Sequence, residues 1–119
     1  MRENFAIGID IGGTAIKYGI CSDSGKIIAK EAIETPAESS KEDILQTISE
    51  LIRKALQKAG ENSLEIKAVG IGTPGSVDVN RGYLMGFTPN FTNWGEAAIA
   101  ETLHKEHPLP IFVDNDANL

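Results

Sequence analysis

Residues 5–21 read FAIGIDIGGTAIKYGIC, and this stretch decides the fold. Phe5–Ile11 is apolar and β-prone, and Thr14–Cys21 resumes with alternating apolar and polar side chains. Gly12 and Gly13 separate the two runs, and glycine is favoured in tight turns between strands. The stretch therefore predicts two strands joined by a glycine turn.

The next segments predict a third strand and a long helix. Ser22–Gly25 (SDSG) has turn composition, and Lys26–Ile33 is another β-prone run. Ser39 and Glu42 have the form of a capping box that opens a helix, and Gly60 suits the end of that helix. Between them, apolar side chains recur at helical spacing and indicate one face packed on a core. This apolar stripe consists of Ile44, Leu45, Ile48, Leu51, Ile52, Ala55 and Leu56.

Three further strands are predicted in the second half of the chain. Ile66–Gly72 is a short apolar run bounded by glycine and proline, as is typical of a buried strand. Tyr83–Gly86 predicts a short edge strand. Ile111–Asp114 predicts a final strand, after the helix-terminating prolines Pro108 and Pro110.

A second helix is predicted between these strands, and it completes the fold class. Asn93 and Glu96 have the spacing of a helix cap, and the helix is expected to continue to about Lys105. The order is three strands, helix, strand, loop, helix and strand. It predicts one mixed α/β domain, in which three antiparallel strands are followed by parallel strands and crossover helices.

Composition and charge exclude several classes of function. The chain has 119 residues, 41% of them hydrophobic and 24% charged, which is typical of a folded globular domain. Its formal net charge is −6, so it lacks the basic surface that nucleic acids require. No segment predicts a signal peptide or a membrane span. The single cysteine, Cys21, fits a reducing compartment and a cytoplasmic protein.

The first candidate site is the turn Asp10–Thr14. Glycine allows backbone amides to approach a phosphate oxygen, the Thr14 hydroxyl adds a donor, and a nearby carboxylate can hold magnesium through water. Asp10 is the candidate for that carboxylate. The turn joins two strands and has no GK[ST] sequence, so it is not a Walker loop. The alternative is a hairpin turn that the aspartate merely caps.

The second candidate site is the loop Gly72–Asp78, at the carboxyl end of a predicted central strand. Ligands of open α/β sheets bind at that end. Thr73 and Ser76 can exchange hydrogen bonds with a polyhydroxylated ligand, and the small residues let it approach the backbone. The alternative is a type II turn with Pro74 and Gly75 in their usual places.

The third candidate site is the end of the last strand, VDNDAN at residues 113–118. Phosphorylation of a sugar needs a carboxylate within hydrogen-bond reach of the attacking hydroxyl, and Asp116 is the candidate base. Asn115 offers a donor and an acceptor to a second hydroxyl. The alternative is that Asp114 or Asp116 caps a following helix.

Two further segments allow more than one interpretation. The stretch GFTPNFTNW at residues 86–94 could form a wall of a sugar pocket, or its Phe91 and Trp94 could pack the next helix on the core. His104 and His107 are three residues apart with no cysteine nearby. This spacing favours solvated histidines at a helix end over a zinc pair.

Taken together and in order, four motifs of the chain resemble the ROK family of sugar kinases and repressors. They are GIDIGGTAIKYGI, GIGTPGSVD, GFTPNFTNW and VDNDAN, and the resemblance covers the whole chain. It implies the ribonuclease-H-like fold shared with actin and hexokinase, in which two lobes close over ATP and magnesium. Residues 1–119 would form the N-terminal lobe, and the second lobe is expected outside this chain.

The resemblance also implies roles for individual residues. Asp10 would lie near magnesium and the reacting hydroxyl, and Asp116 would be the general base. Asn115 would bind hydroxyls beside the reacting one. The residues expected along the ATP phosphates are Gly12, Gly13, Thr14, Ala15 and Lys17. Those expected around the sugar are Gly75, Ser76, Thr88 and Asn90.

The function implied for the intact protein is transfer of a phosphoryl group from Mg·ATP to a hexose, with glucose or a related sugar favoured. Polyphosphate is the alternative donor, and a homodimer is expected for the full-length protein. A structural zinc site is compatible with the second lobe but is not expected in this chain. The same family includes sugar-sensing repressors, which carry a helix-turn-helix before the first motif. Because the first strand begins at Phe5, the kinase is favoured over the repressor. The isolated lobe is expected to be inactive.

Overall fold

The computed structural model describes residues 4–88 and 91–116, with only the backbone described at Phe87, Thr88 and Thr92. Within these residues it contains eight strands and two helices. Neither helix is long and apolar enough to cross a membrane. The elements are β1 (Phe5–Ile11), β2 (Ala15–Ser22), β3 (Ile27–Glu34), α1 (Lys41–Glu61), β4 (Ile66–Thr73), β5 (Ser76–Asp78), β6 (Tyr83–Thr88), β7 (Phe91–Ala98), α2 (Ile99–Glu106) and β8 (Ile111–Asn115).

The predicted mixed α/β fold with a mixed sheet is confirmed. The larger sheet has the strand order β3-β2-β1-β4-β8. β1, β2 and β3 pair antiparallel, whereas β4 runs parallel to β1 and β8 parallel to β4. Parallel neighbours need a crossover connection, and α1 supplies the one between β3 and β4. The carboxyl ends of β1, β4 and β8 therefore meet at one edge of the sheet.

The core lies on one face of this sheet. The isoleucines of β1 at positions 7, 9 and 11 belong to one buried cluster with Ile44 and Ile48 of α1. The opposite face carries small residues, because Gly8 and Gly70 are paired across β1 and β4. Phe112 of β8 is the register partner of Gly70 and therefore lies beside these glycines, where it is 63% exposed. An open groove of about 600 Å³ runs over this face and reaches Asp10.

Both ends of α1 differ from the prediction by one or two residues. The N-cap is Ser40, whose Oγ accepts a hydrogen bond from the Asp43 amide at 3.1 Å. The prediction of Ser39 was wrong because the sequence contains two overlapping cap patterns, one residue apart. At the other end the helix continues through Gly60, and Asn62 is the cap.

The predicted second helix was wrong over its first half. Residues 91–98 form β7, and α2 begins only at Ile99. β7 pairs with β6, which pairs with β5, so Tyr83–Thr88 is the central strand of a second sheet and not an edge strand. The polar residues that suggested a cap have other partners. Asn93 donates to the Glu38 carbonyl at 3.1 Å, and Glu96 accepts from the Tyr83 hydroxyl at 2.8 Å.

The prediction that His107 is solvated was also wrong. Its side chain is buried between the helices, with Nε2 2.9 Å from the Ser49 Oγ. Ser49 donates its one hydroxyl hydrogen to the Glu106 carboxylate at 2.9 Å, so the imidazole must donate to the serine oxygen. These bonds join α1 to α2. Because the partners are 58 residues apart, no local pattern indicates them.

Tyr18 on β2 leads to a testable pH dependence. Burial, together with a 2.6 Å hydrogen bond from its hydroxyl to the Glu31 carboxylate, raises the pKa of Tyr18 to about 12. In the unfolded chain the phenol ionises near pH 10. The contribution of the neutral Tyr18 hydroxyl to the unfolding free energy is thus complete below pH 10 and is lost as the pH rises to 12.

We expect the difference in unfolding free energy between the protein and its Tyr18→Phe variant to fall across that pH window. At neutral pH the difference should be about 1 kcal/mol, because Glu31 is exposed and solvent screens the pair. Urea unfolding from pH 8 to 12 measures it. Parallel pH profiles for the two proteins would contradict the assignment.

Candidate active site

The three candidate segments lie at the same edge of the larger sheet. Asp10 of β1 is the register partner of Gly72 in β4, which is in turn the partner of Asp114 in β8. Since neighbouring strands are about 4.8 Å apart, the Cα atoms of Asp10 and Asp114 are separated by about 10 Å. One residue further along, Thr73 pairs with Asn115. The sheet thus brings the turn at Asp10–Thr14 (the first turn), the loop after β4 and the end of β8 to one edge.

The first turn is closed by its own backbone. The Gly12 amide donates to the Ala15 carbonyl at 2.9 Å, and a Cβ at Gly12 would lie at the same short distance from that oxygen. Only glycine fits this position without a shift. Because the Gly12 amide is used in the turn, Gly13 and Thr14, which are both exposed, form the outward part of the turn.

Thr35 supports this turn, and the sequence interpretation did not identify it. Its hydroxyl donates to the Gly12 carbonyl at 2.6 Å, and its amide donates to the Thr14 carbonyl at 2.9 Å. The side chain is only 7% exposed. Thr35 follows β3 and lies 23 residues from Gly12, so pairing of β2 with β3 is what brings it to the turn.

Asp10 and Lys17 place opposite charges side by side. They are cross-strand partners in the β1–β2 ladder, both are exposed, and both line the groove on the open face of the sheet. Gly72, on the other side of Asp10, has no side chain to fill the space. An anionic ligand at this edge would meet the lysine ammonium, and a cation would meet the aspartate.

The acidic side chains at this edge fit magnesium. Mg²⁺ prefers hard oxygen ligands, and it is usually held by one or two carboxylates together with substrate phosphates and water. Asp10 and Asp114 belong to one row of the sheet and, by the alternation of side chains along strands, point to the same face. Among the described residues no group of three or more potential metal ligands occurs.

The loop after β4 (residues 72–78, the Gly75 loop) is attached to β8 through Gly75. The Nδ2 atom of Asn115 donates a short hydrogen bond to the Gly75 carbonyl. Gly75 has a φ of +99°, a backbone conformation in which glycine is strongly favoured. Ser76 follows as the exposed first residue of β5. The structure therefore brings together three of the predicted sugar-side residues, Gly75, Ser76 and Asn115.

The two aspartates at the end of β8 differ in hydrogen bonding and exposure. Asp114 accepts a hydrogen bond from the Asn115 amide at 2.7 Å, so it stabilises the strand end. Asp116 is exposed and follows directly after β8. The prediction that either acid caps a following helix concerns residues outside the described ones. Asp116 is thus the acid of this segment that faces solvent at the common edge.

The segment 86–94 contributes to the core and to the second sheet. Trp94 is fully buried, Phe91 is 2% exposed, and their rings stack with centroids 5.9 Å apart. These two aromatic residues pack inside the domain and do not form an open wall. Of the predicted sugar residues here, Thr88 is described only by its backbone, which pairs with Phe91. Asn90 lies outside the described residues.

Glu96 stabilises the β6–β7 hairpin, although its spacing from Asn93 predicts a helix cap. Its carboxylate accepts from the Tyr83 hydroxyl and from the Gly86 amide, both at 2.8 Å. These hydrogen bonds hold the pKa of the Glu96 carboxyl below its usual range. Glu96 has a φ of +47°, which places it in the left-handed region. The backbone strain is compensated by the two bonds that fix the bulge in β6.

Comparison with known proteins identifies the family. Residues 6–119 match the family model described as ROK family. The chain belongs to the ROK family. The resemblance predicted from its four motifs is therefore confirmed.

Three relatives of this ROK chain are informative. A glucokinase from Thermotoga maritima is 39% identical over 112 residues, which cover 94% of this chain and 33% of the glucokinase. The crystal structure of a ROK family glucokinase from Streptomyces griseus in complex with glucose and AMPPNP is 34% identical. It superposes with a TM-score of 0.77 over 96% of this chain and 34% of that one. A xylose repressor from Caldicellulosiruptor bescii is 30% identical over 112 residues, covering 94% of this chain and 28% of the repressor.

These relatives differ from this ROK chain in length and from each other in function. The chain spans about a third of the length of the curated relatives it matches. The relatives include sugar kinases as well as a repressor. The family is therefore established, but membership does not distinguish a kinase from a regulator.

Proposed function

We propose that the full-length protein transfers the γ-phosphoryl group of ATP to a hydroxyl group of a hexose. The observation that carries this proposal is the convergence of the first turn, the Gly75 loop and the end of β8 at one sheet edge. It is supported by similarity to a glucokinase and to a glucokinase complex with glucose and AMPPNP. Glucose is accordingly the favoured substrate.

In the proposed mechanism Asp116 is the general base. Its carboxylate accepts the proton of the hexose hydroxyl while the hydroxyl oxygen forms a bond to the γ-phosphorus. The bond between the γ-phosphorus and the oxygen that bridges to the β-phosphate breaks, and ADP leaves with that oxygen. The exposed position of Asp116 after β8 allows a hydroxyl to approach it.

The first turn would bind the triphosphate. The backbone of Gly13 and Ala15, the Thr14 hydroxyl and the Lys17 ammonium would contact its oxygens, and Gly12 contributes through the closed turn. Asp10 would hold magnesium through water. When bound, magnesium supplies positive charge that stabilises the developing negative charge on the phosphates.

The sugar would lie against the Gly75 loop. Gly75, Ser76 and Asn115 are placed together there, and Thr88 and Asn90 are proposed to complete this side. We further propose that the chain is the N-terminal lobe of a ribonuclease-H-like kinase. The strand order β3-β2-β1-β4-β8, with antiparallel and then parallel pairing, supports this assignment. The second lobe, a cytoplasmic location and a homodimer remain predictions for the full-length protein.

A sugar-sensing regulator is the second candidate function. Similarity to a xylose repressor favours it. A regulator would need the sugar-side residues but no phosphoryl transfer. The two functions therefore differ in whether ADP is produced when a sugar is present.

The test is a coupled assay of ADP formation by the full-length protein with MgATP and a panel of glucose, fructose, xylose and N-acetylmannosamine. We expect turnover with at least one aldohexose and the highest kcat/KM with glucose. Inorganic polyphosphate in place of ATP tests the alternative donor, with the sugar phosphate as the measured product because no ADP forms. If calorimetry shows that a sugar binds, but no ADP forms in the presence of any sugar of the panel, the result would favour the regulator.

A further inference from the structure

Trp94 forms a buried hydrogen bond with the start of the Gly75 loop. Its indole N–H donates to the Thr73 Oγ1 at 2.8 Å, and both side chains are completely buried. The Thr73 hydroxyl in turn donates to the Pro74 carbonyl at 3.1 Å. An indole N–H only donates, and a threonine hydroxyl has one hydrogen, so the direction of both bonds is unambiguous.

This pair of bonds restrains the loop at residues other than the one that Asn115 binds. Trp94 acts on Thr73 and, through its hydroxyl, on Pro74, whereas Asn115 binds the carbonyl of the next residue, Gly75. Thr73 and Asn115 are also register partners in the β4–β8 ladder. The three consecutive loop residues 73–75 are therefore held between a strand of the second sheet and the last strand of the first.

We propose that Trp94 is a positioning residue for the sugar side of the site. It does not face the ligand, because it is buried, but it fixes the loop whose carbonyl orients the Asn115 amide. Loss of the indole N–H would leave the buried Thr73 hydroxyl without its donor and would loosen the loop. The inference rests on the proposed function for its kinetic consequence, but not for its effect on the loop.

The kinetic test compares Trp94→Phe and Thr73→Val in the full-length protein. Each variant removes one partner of the bond and keeps most of the side-chain volume. We expect the KM for the hexose to rise about tenfold, with little change in the KM for ATP, because one buried hydrogen bond is lost. Thr73→Ser keeps the hydroxyl and should retain a nearly unchanged KM. The double variant should be no worse than either single one.

Ser49→Ala is the matched control for a general loss of stability. It breaks another buried hydrogen bond, to His107 between the two helices, and should lower the melting temperature without raising the hexose KM. A hexose KM that rises equally in Ser49→Ala and Trp94→Phe would overturn the proposal. So would an unchanged hexose KM in both Trp94→Phe and Thr73→Val.

Hydrogen–deuterium exchange separates this inference from the proposed function. We expect the peptide covering residues 73–77 to exchange faster in Trp94→Phe and Thr73→Val, but not in Ser49→Ala, whether or not the protein is a kinase. Absence of ADP formation by the unaltered protein would reject the proposed function alone. Unchanged exchange in residues 73–77 would reject the positioning role alone.

Discussion

Replacement of Asp116 by asparagine is expected to lower kcat for hexose phosphorylation by the full-length protein about 10²- to 10⁴-fold, the usual contribution of a general base. Asparagine keeps the size of the side chain and its capacity to hydrogen-bond, but it cannot accept the hydroxyl proton. The KM for ATP should change little, because the proposed phosphate contacts lie on the first turn. Initial rates of ADP formation with saturating glucose and MgATP measure the effect.

Asp23→Asn provides the control for the change in charge. Asp23 is exposed in the turn between β2 and β3, at the edge of the sheet opposite to Asp116, where its carboxylate accepts from the Asn4 amide at 3.4 Å. This variant should retain the kcat of the unaltered protein. If the kcat of Asp116→Asn were within about threefold of the kcat of Asp23→Asn, the assignment of Asp116 as the general base would be wrong.

Replacement of Gly19 by alanine is expected to cause a large loss of stability. A Cβ at this position would lie 2.4 Å from the Ala29 carbonyl oxygen of the neighbouring strand, and a backbone oxygen cannot move aside as a flexible side chain can. The β2–β3 ladder has its register shift nearby, between Ile20 and Cys21. We expect the unfolding free energy of the 119-residue chain to fall by about 3 kcal/mol, from overpacking.

Gly8→Ala is the matched control on the same sheet face. Gly8 is the cross-strand partner of Gly19, yet a Cβ at Gly8 would meet no atom within 4 Å. The unfolding free energy should therefore change by no more than about 1 kcal/mol, and a gain is expected from the lower entropy of the unfolded chain. Urea unfolding at pH 7 compares the two variants. Equal losses in both would show that the close contact at Ala29 is not the cause.

The candidate site was predictable from the sequence only in part. Small and polar residues at the carboxyl ends of two apolar strands indicated the Gly75 loop and the Asn115 segment, because parallel strands present such ends at one edge. Their contact through the Gly75 carbonyl was not predictable. Thr35, which supports the first turn, is 23 residues from Gly12 and resembles any threonine before a proline.

The error at residues 93–98 has a specific physical cause. Asn93 and Glu96 fit a helix cap by spacing, and spacing describes only interactions within a few residues. In the folded chain, pairing of β7 with β6 and the bonds from Glu96 to Tyr83 and Gly86 outweigh that local preference. Burial of Trp94 against Thr73, 21 residues away, stabilises the same strand.

The sequence by itself determined the elements whose stabilising interactions are local and periodic. The strand at Phe5–Ile11 and the apolar stripe of α1 follow from repeats of two and 3.6 residues, and the turn after the strand follows from Gly12 and Gly13. The order of four motifs was sufficient to place the chain in its family. Only the tertiary structure decided that residues 91–98 form a strand, that His107 is buried against Ser49 and that Trp94 holds the Gly75 loop. The side-chain hydrogen bonds that support these features join residues 10 to 58 positions apart, which meet only after the sheets and helices have packed.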